Sequence, residues 1–345
     1  MALNRRSFIT GVPALAGAGL FGCAASTGER GAAASGSVLY STHAAAAGSK
    51  SILVCMPDTR QTSEVWRGLS DELAHEFELV ALRAEGGDVS STIATGIKRY
   101  QPAGLVLMNN PTVDGYRRLQ AHAHEAAFPP TVIVMSSFLE GRPAKLRGAT
   151  GISYEVPLIT VVTNLRKLIA TPIDRIGVVH RPSLAGFVRR QAALAGREQT
   201  AVVAEQVTQA PNSSEIKRAL RRLKQRCDAI WVLNDDRLLT PRLLADGWLH
   251  GLNEPPWVPT IVGAASLVSP NQSFGTFAVL PDHTALGSQA ANLLLDIADN
   301  DWQLPGSSAT QLPLSTTTTV DLSQAKERFA LRPSALAQVD KVLER

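Results

Sequence analysis

The chain has 345 residues; setting aside an N-terminal leader and linker leaves roughly 295, above the usual size of one compact core, so two lobes are the starting expectation. The formal net charge is +4, and Arg5 and Arg6 in the leader supply two of the positives. No block of like charge is long enough for a nucleic-acid partner, and aromatic residues, at 5%, are too sparse for one.

The chain opens with Asn4-Arg5-Arg6-Ser7-Phe8-Ile9, continues through an apolar stretch and reaches Leu20-Phe21-Gly22-Cys23. A charged start, a short apolar middle and small residues before a cleavage point form an export signal. Residues 9–22 are too few to cross a bilayer core of about 30 Å, which takes roughly 20 residues as a helix. The paired arginines before Ser-Phe-Ile resemble the twin-arginine export signal. Leu-x-Gly-Cys resembles the bacterial lipobox, whose cysteine is acylated and becomes the first residue, so Cys23 is the candidate lipidation site. An ordinary cleaved signal with an incidental cysteine is the alternative. Residues 24–50 are rich in Ala, Gly and Ser without an apolar period, which predicts a flexible linker and a folded part starting near Ser51. Residues 1–23 as signal and 24–50 as tether imply a periplasmic protein of the bacterial envelope, held by lipid. Stable anchoring takes more than one acyl chain.

Beyond the linker, strand-like runs alternate with amphipathic helices. Ser51–Met56 is a continuous apolar run, as expected of a strand buried on both faces. A helix follows through Trp66, Leu69 and Leu73, then strand 78–82, helix 91–100, strand Gly104–Met108, helix 112–127 and strand 131–135. Repeated strand–helix units with right-handed crossovers predict a parallel sheet. Residues 142–151 break the pattern with Pro, Gly and basic residues. A second series then runs through helix 156–169, strand 175–179, helix 184–195, strand 202–207, helix 214–225, strand 229–233, helix 240–250, strands 259–263 and 275–279, and helix 283–300. The basic run at 217–226 fits the solvated face of a helix whose apolar side is Ile216, Leu220 and Leu223. Cys55 and Cys227 sit at strand positions; they could pair in an oxidising compartment, but two buried, unpaired thiols are expected. The outcome is α/β: two doubly wound lobes with a cleft between them.

In such sheets ligands sit beyond the carboxyl ends of the strands. Those ends carry Asp58-Thr59, Asn109-Asn110, Ser136-Ser137, His180-Arg181-Pro182-Ser183, Asn234-Asp235-Asp236 and Ala264. Each short polar residue is also a ready helix cap. Together, helix N-termini converging on one cleft suit a carboxylate or another small anion. Asp235 or Asp236 is positioned to answer a ligand ammonium. Asp58, Thr59, Asn109, Asn110, Ser136, Ser137, Asp235, Asp236 and Ala264 are therefore candidate ligand contacts. Nucleophile elbow, Walker loop, zinc-protease helix and dinucleotide glycine loop are all missing from the turns, so no catalytic residue or cofactor is implied. His122-Ala123-His124-Glu125 has the wrong helical spacing to chelate a metal.

Further segments carry a resemblance. They are Gly148-Ala149-Thr150-Gly151-Ile152-Ser153-Tyr154, Asp174-Arg175-Ile176-Gly177-Val178, Cys227-Asp228-Ala229-Ile230-Trp231-Val232 before Asp235, Phe277-Ala278-Val279-Leu280-Pro281-Asp282 before Gly287-Ser288-Gln289-Ala290-Ala291, and residues 316–331. Over most of its length the chain resembles the ABC-transporter substrate-binding lipoproteins that take tryptophan and other aromatic amino acids. The resemblance implies a type I periplasmic-binding fold with three crossing strands that closes on a ligand. It also implies one lobe of 51–147 with 281–312, another of 148–280 with 313–345, and a hinge at 142–151. Asp235 matches that family's cleft aspartate. Asn110-Pro111 stands in place of Thr-Pro, Ser136-Ser137 in place of an aspartate before proline, and Asp58-Thr59 where a histidine is frequent. Tyr154, Phe138 and Trp66 are then candidate stacking surfaces, although each aromatic also suits core packing. The implied partners are a small ligand and an ABC permease; a membrane signalling or outer-membrane uptake protein is the alternative.

Overall fold

The computed structural model describes residues 35–42, 49–123, 127–139, 146–268, 274–304 and 310–344. The leader, with Arg5, Arg6 and Cys23, lies outside the described residues, as do His124, Glu125 and residues 142–145 of the expected hinge.

The first sheet has the order β1-β3-β2-β4-β5-β6. Its strands are β1 (Val38–Ser41), β2 (Ser51–Met56), β3 (Glu78–Arg83), β4 (Gly104–Met108), β5 (Thr131–Val134) and β6 (Ala149–Gly151). Between them run α1 (Arg60–Leu73), α2 (Val89–Tyr100) and α3 (Asn110–His122). Strands β2 to β6 are parallel, and β4 is buried along its whole length, as its unbroken apolar run requires. Two expectations need correction. The linker at 24–50 contains β1, which pairs antiparallel with β3. The apolar triplet Val38-Leu39-Tyr40 is too short to show a period, yet it covers an otherwise bare sheet edge. Tyr40 also stacks on Trp66, with ring centroids 5.4 Å apart. The second lobe does not begin at Gly148 either, because Ala149 to Gly151 form β6 beside β5 in the first sheet.

The second sheet has the order β13-β12-β11-β10-β9-β7-β8. After α4 (Leu158–Leu168) come β7 (Arg175–His180), α5 (Ala185–Gly196), β8 (Ala201–Gln206), α6 (Ser213–Lys224) and β9 (Ala229–Val232). Next, α7 (Pro241–Leu243) passes through a π turn, Leu244–Leu249, into α8 (His250–Asn253), followed by β10 (Thr260–Val262) and β11 (Phe277–Pro281). The chain then crosses to the first lobe for α9 (His283–Asp299) and returns as β12 (Thr316–Asp321), α10 (Leu322–Arg328), α11 (Pro333–Leu336) and β13 (Lys341–Leu343). Because it returns from the other lobe, β12 enters antiparallel to β11, so this sheet is mixed rather than all parallel.

Helix α9 seals the first lobe against α1, a close approach that two glycines permit. A Cβ on Gly287 would lie 2.1 Å from the Val65 carbonyl oxygen, and one on Gly68 would lie 2.0 Å from that of Thr284. Three segments cross between the lobes. The Gln311 N–H donates to the Gly151 carbonyl at 2.9 Å, and the Asp282 N–H donates to Ser315 at 3.0 Å. Around their first strands the two sheets wind alike, β3-β2-β4-β5 and β8-β7-β9-β10, so each reverses direction once, between β2 and β4 or between β7 and β9.

Cys55 and Cys227 are buried and unpaired, and burial pushes both thiols up to about 12. The basic helix α6 is not solvated throughout. Lys224 is buried, and its ammonium donates to the carbonyls of Gly251, at 2.7 Å, and Glu254, capping the end of α8. Among the described residues no helix is long and apolar enough to cross a membrane.

Candidate ligand-binding site

At the first reversal the polar residues bond to one another. Thr59 caps α1: its hydroxyl accepts the Thr62 N–H and its own N–H donates to the Thr62 hydroxyl, both at 3.2 Å. Asn109, at φ +89°, caps α3 by accepting the Thr112 N–H at 3.0 Å. The Asn110 side-chain oxygen takes the Ser136 hydroxyl at 2.7 Å and the Ser137 N–H at 2.9 Å, tying the ends of β4 and β5 together. Asp58 is exposed and lies 3.9 Å from Arg83, whose nearer partner is Glu85 at 2.5 Å.

Where the chain crosses between lobes, Glu155 is buried and accepts the Phe138 N–H at 2.9 Å and the Ser153 hydroxyl at 3.1 Å. The Phe138 ring meets Phe187 edge-on at 5.1 Å, and Phe187 lies 5.9 Å from Trp231. These aromatics link the end of the first sheet to the core of the second. The Tyr154 hydroxyl lies 3.0 Å from His283 Nε2, and His283 Nδ1 lies 3.0 Å from Glu64. A carboxylate accepts, so Nδ1 carries a hydrogen and, in the neutral ring, Nε2 accepts from the phenol. Burial pushes the Tyr154 phenol up, and the charges of Glu155 and Glu64 push it further. Burial would also raise Glu64, but hydrogen bonds from His283 and Arg60 outweigh it and hold the carboxyl below its ordinary value.

Between these crossing residues and the second sheet lies a cavity of about 20 Å³, lined by Phe138, Tyr154, Glu155, Trp231, Asn234 and Gly263 among others. That is room for about one water molecule. The Asn234 amide donates to the Gly263 carbonyl at 2.9 Å, while its side-chain oxygen is buried with no partner. Gly263 lets the Asn234 side chain lie close, since a Cβ would sit 2.4 Å from its amide nitrogen and displace it.

At the second reversal Asp235 has protein partners that its place at a strand end does not reveal. Its carboxylate is closed off by Arg181, with Nε to Oδ2 at 2.6 Å and Nη2 to Oδ1 at 2.7 Å, and it also accepts the Arg237 N–H at 3.0 Å. The Asp235 side chain is 1% exposed and that of Arg181 12%. Asp236 is exposed beside it. Ala264 is half-buried and heads the short turn Ala265–Leu267 without a side-chain bond.

Solved structures share this architecture. A tryptophan-bound ABC domain from Streptococcus pneumonia is 18% identical, with a TM-score of 0.54 over 85% of this chain and all of its own. A ligand-free, open substrate-binding protein with adhesive properties from Clostridium difficile is 14% identical, with a TM-score of 0.61 over 86% of this chain and all of its own. A conserved domain protein from Vibrio cholerae is 17% identical, with a TM-score of 0.56 over 86% of this chain and 99% of its own. The chain has the type I periplasmic-binding-protein fold. No protein-family model matches it, and no curated protein matches it by sequence.

Tyr154 lines the small cavity, Asn110, Ser136 and Ser137 form one bonded cluster, and Thr59 and Asn109 serve as caps. Trp66 is covered by Tyr40, and Phe138 by Phe187. Arg181 and Asn234 stand at the strand ends, where the pattern of polar residues points to them. His283 and Glu64 have no sequence signal, because they come together from distant elements, and neither has Glu155, whose second partner Phe138 lies across the crossing segment.

Proposed function

We propose that the protein is an exported receptor that holds a small polar solute between its lobes and hands it to an ABC-type permease. The observation that carries this reading is the Asn234 side-chain oxygen, buried without a partner, on a residue that lines the cavity between the crossing segments and the second sheet. A buried acceptor left unpaired costs about 1–3 kcal/mol, which a ligand donor entering the cavity recovers. At about 20 Å³ the cavity must widen to admit anything larger than water. Binding then involves parting Phe138 from Phe187 and reclosing over the ligand. The likeness to a tryptophan-bound structure and to an open substrate-binding protein supports this reading and keeps amino acids among the candidate ligands. The leader supports export, with Cys23 as the acylated residue.

A thermal-shift panel of amino acids, sugars, nucleosides and small carboxylates tests the receptor. At a hundredfold excess over Kd, ligand adds about 2.7 kcal/mol, a shift of several degrees. The protein tested must retain β1, since a start at Ser51 removes the strand that covers β3 and Trp66. A ligand whose shift disappears in Asn234→Leu places the site; flat curves across the panel refute the reading. Labelling with an alkyne-bearing fatty acid tests the anchor: the natural chain takes the label and Cys23→Ser does not.

A further inference from the structure

A cavity of about 590 Å³ opens at the carboxyl ends of β7, β8 and β9, at the reversal of the second sheet and apart from the small cavity at Asn234. Arg181, Arg237 and Arg242 line it together with Gln209, Asn212 and Ser213, and no carboxylate is among its described lining residues. Arg181 spends Nε and Nη2 on Asp235, which leaves Nη1 and one Nη2 hydrogen unspent. Arg237 and Arg242 are exposed, and their guanidinium groups make no ion pair among the described residues. The neighbouring cavity of about 520 Å³ differs: its Arg222 is held by Glu205 at 2.6 Å, and its Glu215 carboxylate accepts the Thr208 N–H at 3.1 Å.

Asp235 is paired with Arg181, and no carboxylate of the described lining pairs with Arg237 or Arg242. Arg181 is half-buried and gripped at two points, so it presents its spare donors with little further loss of side-chain freedom. Guanidinium forks match the paired oxygens of phosphates and carboxylates. The volume lies within the range of small-molecule sites. We infer that this cavity binds the oxyanion end of a small doubly negative ligand, a phosphate or a dicarboxylate. Arg181 is the fixed arm, and Arg237 and Arg242 are the arms that close on the anion. The second lobe alone builds this site, so it goes beyond the solute site proposed between the lobes.

Calorimetric titration of the whole protein with inorganic phosphate and with succinate tests the inference. One or both anions are expected to bind one to one, more weakly as salt is raised. Phosphate alone marks a tetrahedral site and succinate alone a planar one. Charge-assisted bonds are worth enough that Arg237→Ala with Arg242→Ala weakens binding at least about tenfold. Arg218→Ala, which removes one exposed charge from the neighbouring cavity, leaves Kd within about twofold. No binding of either anion overturns the inference, as does an equal effect of the two sets of variants, which would mean diffuse attraction to a basic surface. A ligand that binds only through Asn234, with no response to phosphate or succinate, overturns it while leaving the receptor standing.

Discussion

The two sheet reversals are built on one winding and finished in opposite ways. In the first lobe, Thr59, Asn109 and Asn110 spend their side chains on Thr62, Thr112, Ser136 and Ser137. In the second, one carboxylate is spent on Arg181, and the guanidinium groups around the cavity of about 590 Å³ keep donors to spare. Strand ends are where ligands bind in such sheets, but topology only delivers residues to that rim. Whether they are free is decided by what else they can reach. Thr59 and Asn109 satisfy themselves locally, three positions on, whereas Asn110 reaches the end of β5 and Arg181 reaches the turn after β9.

The comparison breaks most sharply at Asp235. Asp235→Ala strands Arg181 in a site where its side chain is only 12% exposed, and removing one partner of such a pair costs about 3–5 kcal/mol. Urea unfolding should show that loss, and replacing both partners, Arg181→Met with Asp235→Leu, should recover most of it. If Asp235→Ala unfolds at the natural midpoint, the pair does not hold the second reversal together. In the first lobe, Asn110→Ala leaves the buried Ser136 hydroxyl and Ser137 N–H unmet, at about 1–3 kcal/mol. Its loss should be the smaller of the two, because neutral groups are cheaper to strand than a guanidinium. Thr59→Ala removes only a cap, about 1 kcal/mol, and Thr59→Asp, which keeps an acceptor, should regain most of it.

The alternation of strands and helices was legible because buried parallel strands are continuous apolar runs and their helices are amphipathic. Both periods survive in a single sequence. The edge strands were not. β1 is four residues inside an Ala-, Gly- and Ser-rich stretch, and β13 is three residues, too short for any period to emerge. The antiparallel entry of β12 depends on where α9 docks, which no local pattern records. At the rim, residue types were legible and partners were not. Asp235 was expected to face a ligand because nothing in the sequence says that Arg181, 54 positions away, folds onto it. Lys224 was expected on a solvated face for the same reason, since its acceptors Gly251 and Glu254 lie on a later helix and its exit.

The smallest predicted effect concerns the segments that join the lobes. Glu64 on α1 reaches His283 at the start of α9, which in turn meets Tyr154 on the first crossing. Its carboxyl is held below the ordinary value of 4.5 by the hydrogen bonds from His283 and Arg60, against the opposing effect of burial. A depressed carboxyl stabilises the folded state fully above its unfolded pKa, and that contribution is lost as pH falls through the folded value. The natural protein should therefore lose stability from about pH 4.5 downward more steeply than Glu64→Gln, with the two closer at pH 3 than at pH 7. The side chain is 29% exposed, so water screens the interaction and the difference is modest. Asp228 provides the matching test within the second lobe. It accepts the Asp174 N–H at 3.0 Å and the Arg175 N–H at 2.8 Å, and these bonds with the Arg175 side chain outweigh burial to lower its carboxyl as well. Urea midpoints of Glu64→Gln and Asp228→Asn between pH 3 and 7 separate the contributions. If only Asp228→Asn flattens the acid limb, the acid-sensitive contact lies inside the second lobe and the Glu64–His283–Tyr154 chain contributes nothing measurable to holding the crossing segments.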